Sequence, residues 1–185
     1  MIRNETLTFR EAGSADWEAV AALHIESWRS AYRGMLHDAY LDRDIEAERR
    51  AIWHARLTGE PRPDQIVVVA EDDAGFAALA CILAGEDPGW GSLIDNLHVR
   101  PDLKRGGLGR LVLAEAARRV SAAHAATPLH LTVLEANDAA QRAYESWGGT
   151  LAERLDAHLP DGQALPVLRY SWASPAALLA RLIRT

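Results

Sequence analysis

One stretch of the chain, Ser92–Arg110, constrains the fold more than any other. Ser92–Val99 reads as a strand, and Pro101–Gly109 is a glycine-rich basic turn. From there Leu108, Val112, Ala116 and Val120 recur every four residues, the stripe of an amphipathic helix. When a helix starts directly after such a turn, its first backbone N–H groups lack intrahelical partners and point into the turn. The helix dipole adds partial positive charge there. Lys104, Arg105 and Arg110 add side-chain charge, so the segment predicts an anion site suited to a pyrophosphate. Gly106, Gly107 and Gly109 let the backbone approach such a group without Cβ clashes.

Two other phosphate loops are excluded. No G-x-x-x-x-G-K-S/T string occurs, so this is not a P-loop. Gly107 and Gly109 supply half of a dinucleotide fingerprint, but Val112 stands where the third glycine belongs. The net charge of −6 disfavours a nucleic-acid partner and is compatible with a cationic acceptor. The single cysteine, Cys81, rules out an intramolecular disulfide and a cysteine-rich metal site, and its apolar neighbours place it in the core.

Around this segment the pattern alternates between the two periods. Strands are expected at Thr6–Glu11, Ile66–Ala70, Phe76–Leu83, Ser92–Val99, Pro128–Leu134, Thr150–Leu155 and Leu165–Trp172. Helices are expected after an N-cap at Ser14, over Ala39–Leu57, from Leu108, over Asn137–Trp147 and over Ser174–Ile183. Gly85–Gly91, with Pro88, reads as a loop. The order implies one α/β (α+β) domain over 1–185, with a core over about 7–172 and a C-terminal helix or tail. The chain shows neither a signal peptide nor a membrane-length apolar run, so a cytoplasmic protein without a membrane partner is expected.

Lys104, Gly107 and Gly109 fall on a pattern Q/R-x-x-G-x-G/A, with Lys in place of the usual first residue. Asn137, Ala140, Tyr144 and Gly148 fit N-x-x-A-x-x-x-Y-x-x-x-G after the strand that ends at Leu134. With the N-terminal helices, these motifs resemble the GNAT superfamily of acetyl-CoA-dependent N-acetyltransferases from about Leu7 to Trp172. The resemblance implies a central mixed, mostly antiparallel sheet of about seven strands, flanked by about four to five helices. It also implies a splay between the fourth and fifth strands that takes acetyl-CoA. Backbone groups of Leu97 and Val99 would pair with the pantetheine arm. Amides from Lys104, Arg105, Gly106, Gly107, Leu108, Gly109 and Arg110 would hold the pyrophosphate. Asn137, Ala140 and Tyr144 would lie along the pantetheine.

The implied reaction moves an acetyl group to a primary amine by direct attack, with no metal. Tyr144 is the candidate acid for the departing thiolate, since a phenol of pKa about 10 and a thiol near 8.5 are close enough for transfer. The backbone N–H of Leu97 or Val99 is the candidate oxyanion donor. Asp95 shares a strand face with Leu97 and Val99 if alternation holds, and His98 then points to the other face unless a bulge intervenes. Both are candidates for handling the acceptor amine. Trp28 and Tyr32, one helical turn apart, are expected over the acceptor pocket or in the core. His24, His54, His124, His130 and His158 have no metal-ligand spacing and read as surface or satisfied histidines; Glu46–Arg50 reads as a solvated helix face. Two other functions fit the same motifs: a non-catalytic acyl-CoA-binding module, and acetylation of protein N-termini or lysines. The acceptor is thus a small molecule or a peptide, and a homodimer is left open.

Overall fold

The computed structural model describes residues 7–183. Seven strands form one sheet in the order β1-β2-β3-β4-β5-β7-β6. They are β1 (Thr8–Glu11), β2 (Gln65–Asp72), β3 (Gly75–Asp87), β4 (Gly91–Val99), β5 (Leu129–Leu134), β6 (Thr150–His158) and β7 (Ala164–Trp172). Every pairing is antiparallel except β4 with β5. Thr6, the expected start of the first strand, lies outside the described residues.

Helices cover both faces. α3 (Leu108–His124) and α5 (Pro175–Leu182) bury Val112, Leu113, Ala116, Leu178 and Leu182 against Ala78, Ala80, Ile82 and Leu131. On the other face α1 (Trp17–Ala31) and α2 (Ile45–Thr58) pack Val20, Leu23 and Trp53 onto Val67, Val69, Leu79 and Cys81. Cys81 is fully buried, as its neighbours predicted. Because β2 and β3 are covered on both sides, they read as unbroken apolar runs rather than alternating ones. The short α4 (Asp138–Ser146) leans on the end of β7 near Tyr170 and Trp172.

Three local expectations change. Ser14 lies within a 3₁₀ turn, Ser14–Asp16, rather than capping α1; Asp16 instead accepts from the Gly13 N–H at 2.7 Å and pairs with Arg10 at 2.7 Å. The expected loop at Gly85–Gly91 is largely strand, since β3 runs to Asp87 and pairs with Gly91 across a tight turn. The second helix contains a π-helical turn, Tyr40–Asp44, ahead of α2. Its charged segment is not uniformly solvated, because Arg49 is buried.

The turn into β4 decides where the site opens. Gly91 has φ +82°, and a Cβ there would meet the Pro128 carbonyl oxygen at 2.3 Å. That close approach lets the Ser92 N–H donate to Pro128 at 2.8 Å and pins β4 to the start of β5. The register holds for only two pairs, Ser92 with Leu129 and Leu93 with His130, and then the strands part.

Candidate active site

Beyond Leu93 the diverging strands enclose a cavity of about 220 Å³. Ile94–His98 of β4 form one wall and Leu131–Leu134 of β5 the other. Tyr144 of α4 closes one side; Trp28, Tyr32, Leu36, Leu159, Pro160 and Val167 close the far end. The cavity therefore brings together Asp95, Leu97, His98, Tyr144, Trp28 and Tyr32, which the sequence singled out. Val99, the turn from Lys104 to Arg110, Asn137 and Ala140 lie outside its lining.

The glycine turn leaves the start of α3 without a side-chain cap. Arg105 (φ +66°) and Gly107 (φ +82°) both sit in the left-handed region, and Gly107 caps α3 with no side chain accepting from the helix N-terminus. Backbone N–H groups left in this way at a helix start suit a phosphate. The Arg100 guanidinium anchors the entry to the turn, bonding Asp72 at 2.7 and 3.1 Å and Asp102 at 2.9 Å. Lys104 Nζ donates to Ser30 Oγ of α1 at 3.1 Å, and burial lowers its pKa. Gly109 brings α3 against β4: a Cβ there would stand 3.4 Å from Val99 Cγ2.

Strict alternation fails on β4. Cys81 of β3 pairs with Asn96, but the next residue, Ile82, pairs with Ile94, so Asp95 is the extra residue of a β-bulge. Leu97 and Val99 turn towards the α3 side of the sheet. Asp95 does not share that face. It points towards α2, where its Oδ2 accepts from Arg56 Nη1 and Asn96 Nδ2, each at 2.5 Å. The adjacent polar pair Asp95-Asn96 inside an apolar strand is the one sequence trace of the bulge.

His98 points the same way, into a buried polar cluster that periodicity did not suggest. Its Nε2 lies 3.3 Å from Asn96 Oδ1, and its ring centroid is 4.2 Å from that of His24. Burial, with Arg49 and Lys104 nearby, pushes the His98 pKa down to about 3. His24 is only 2% exposed and its pKa is also well below the usual range, through burial and the charge of nearby groups. Both rings are neutral at physiological pH. Trp53 Nε1 donates to His24 Nδ1 at 2.9 Å, while His24 Nε2 has no partner among the described residues. His24 is thus neither a surface histidine nor a fully satisfied one. Arg49 stacks over Trp28, with 4.8 Å from its guanidinium carbon to the ring centroid. Trp28 in turn meets Tyr32 edge-on at 4.9 Å.

Tyr144 stands opposite, held among Trp147, Tyr170 and Trp172 with ring centroids 5.8 to 6.3 Å away. Two hydrogen bonds fix α4 there: Tyr170 Oη to Glu145 at 2.8 Å and Trp172 Nε1 to the Trp147 carbonyl at 3.0 Å. Burial, and to a lesser degree Tyr32, raises the Tyr144 pKa, so the phenol keeps its proton. Asn137 Oδ1 accepts from the Ala140 N–H at 3.2 Å as the N-cap of α4. No cluster of metal-ligating side chains occurs among the described residues, nor any helix long and apolar enough to cross a membrane.

The acetyltransferase (GNAT) family model matches residues 17–149. The uncharacterized N-acetyltransferase YuaI of Bacillus subtilis is 29% identical over 136 residues, covering 71% of this chain and 73% of that protein. Among solved structures, a GCN5-related N-acetyltransferase from Rhodopseudomonas palustris superposes with a TM-score of 0.69 at 20% identity, covering 91% of this chain and 96% of the other. The PaiA N-acetyltransferase of Thermoplasma acidophilum, solved in complex with coenzyme A, gives 0.64 at 15% identity, covering 90% and 99%. The fold and the parted strands thus define an acyltransferase architecture. The chain belongs to the GNAT family of acetyltransferases.

Proposed function

We propose that this protein transfers an acetyl group from acetyl-CoA to a primary amine by direct attack in a ternary complex. The observation that carries the reading is the juxtaposition of two features: strands that part after Leu93, and an uncapped helix start at Gly107. The pantetheine would run along the β4 edge at Leu97 and Val99, with Asn137 and Ala140 on its other side. Amides from Lys104 through Arg110 would hold the pyrophosphate.

In this reaction the neutral amine attacks the thioester carbonyl. A C–N bond forms, the C–S bond breaks, the nitrogen gives up a proton and the sulfur gains one. A β4 backbone N–H at Leu97 or Val99 would donate to the carbonyl oxygen as it gains charge. Tyr144 keeps its proton over the working pH range and would give a hydrogen bond, then the proton, to sulfur. Asp95 is paired with Arg56 and would orient the amine rather than deprotonate it. His98 is a weak base at its depressed pKa and would act through hydrogen bonding alone. Trp28 and Tyr32 would line the acceptor path.

Calorimetry with acetyl-CoA, followed by thiol release over an amine panel, tests this. Saturable binding and amine-dependent thiol release are expected. Absence of coenzyme binding would end the proposal, and binding without release for any amine would leave a non-catalytic acyl-CoA module in its place.

A further inference from the structure

The far end of the cavity carries information about the acceptor. Its walls are Trp28, Tyr32, Leu36, Leu159, Pro160 and Val167. No lysine or arginine lines the cavity among the described residues, and Asp95 is its sole carboxylate. Arg56 compensates that carboxylate at 2.5 Å. The lining is therefore close to neutral overall, with Asp95, Asn96, His98 and Thr132 along the parted strands and an apolar, aromatic end. A charge carried against Leu36, Leu159, Pro160 and Val167 would lose its water and meet no charged group in the lining, with the Arg49 guanidinium held behind the Trp28 ring, which disfavours it.

The end is also roofed. The β6–β7 hairpin meets the segment after α1 through a clasp: the His37 N–H donates to Asp161 Oδ2 at 2.9 Å, and Gln163 Nε2 to the Met35 carbonyl at 3.4 Å. Leu36, Tyr40, Leu159 and Leu165 pack together beneath it. At about 220 Å³ the space is below the roughly 300–1,000 Å³ of drug-sized sites, and it must also take the reactive end of the coenzyme. That volume leaves little room for a polypeptide.

Building on the acetyl-transfer reading, we infer that the acceptor is a slim primary amine whose remaining body is apolar and uncharged, an alkyl- or arylalkylamine. Amino acids, polyamines and peptide amines are excluded by the same walls. Asp95 receives the amine end, and the Trp28–Tyr32 pair, stiffened by Arg49 behind it, receives the body.

Three six-carbon amines isolate the claim: hexylamine, 1,6-diaminohexane and 6-aminohexanoate, which differ at the far end. With saturating acetyl-CoA and the full chain at about pH 8, kcat/KM by thiol release is expected to favour hexylamine over both others by about 100-fold or more. A peptide with an N-terminal alanine and an internal lysine is expected to be poorer still. Parity with either charged amine, or a preference for the peptide, overturns the inference and leaves acetyl transfer standing. No release from any amine despite coenzyme binding removes the transferase reading, and this inference with it. A Leu159→Arg variant supplies a second measure. Its ratio of 6-aminohexanoate to hexylamine turnover is expected to rise at least about tenfold. Because a ratio is indifferent to partial loss of folded protein, an unchanged value overturns the assignment of that wall.

Discussion

The two sides of β4 are built from different materials. Towards α3 the candidate coenzyme side is backbone: amides of the glycine turn, an uncapped helix start and a strand edge without a partner strand beyond Leu93. Towards α1 and α2 the candidate acceptor side is side chains: Asp95 with Arg56, His98 with His24, Arg49 over Trp28. A backbone site needs only a permitted φ/ψ path, so a few glycines in one short stretch specify it. A side-chain site needs partners from three elements far apart in sequence, set by a bulge and a π-helical turn.

The largest expected effect sits where the two sides meet. Tyr144→Phe removes the proposed donor to sulfur while leaving the ring among Trp147, Tyr170 and Trp172. Turnover should fall by about 100-fold or more, with acetyl-CoA affinity within about threefold. An equal loss of affinity would move Tyr144 from the chemistry to the coenzyme wall. Gly107→Val tests the backbone side alone. A Cβ at Gly107 meets nothing within 4 Å, so the cost is the φ of +82°, which a β-branched residue resists by roughly 1–3 kcal/mol. Calorimetry should show coenzyme affinity down by up to about 100-fold, with selectivity among amines unchanged. A change of selectivity with intact affinity would break the division between the sides.

Acid should act on the acceptor side first. His24 and His98 have folded pKa values depressed by burial, and His130 shifts the same way. Unfolded histidines take up protons below about pH 6.5, whereas the folded chain cannot bind them there. Stability is therefore complete above pH 6.5 and is lost as pH falls towards 3. Two such groups give a slope of up to about 2.7 kcal/mol per pH unit. Chemical denaturation between pH 7 and 5 should show this fall, above the range in which most carboxylates titrate. A His24→Gln, His98→Gln double variant should flatten the slope; an equally steep one would place the acid sensitivity elsewhere.

What was legible in the sequence follows the same division. The order of strands and helices, and the glycine turn into α3, are readable because the information is local: period two, period four, and glycines between Arg105 and Arg110. The splay is not written in β4 or β5 themselves but in the family resemblance. The side-chain wall is hardly legible. Ser92–Val99 alternates well enough to hide a bulge, so Asp95 was expected beside Leu97 and Val99. Arg49 sits in a run of charges that reads as solvated, and only the fold shows Trp28 beneath it. His24 looks ordinary until Trp53, 29 positions away, donates to it.

The smallest expected effect is the most discriminating. If the coenzyme side is backbone, its charged side chains should matter little. Lys104 stands at the head of the motif, where its charge adds to the expected anion site. Its ammonium reaches Ser30 at the end of α1, tying the turn to the helix that carries Trp28. Lys104→Gln keeps the length and the hydrogen-bonding capacity but removes the charge. Coenzyme affinity should fall by no more than about fivefold, the range of an exposed point charge. The dependence of affinity on salt should be nearly unchanged, because the turn amides and helix dipole remain. A drop beyond about 50-fold, with a flattened salt dependence, would mean that side-chain charge and not backbone geometry grips the diphosphate. The contrast between the two sides of β4 would then reduce to one between two sets of side chains.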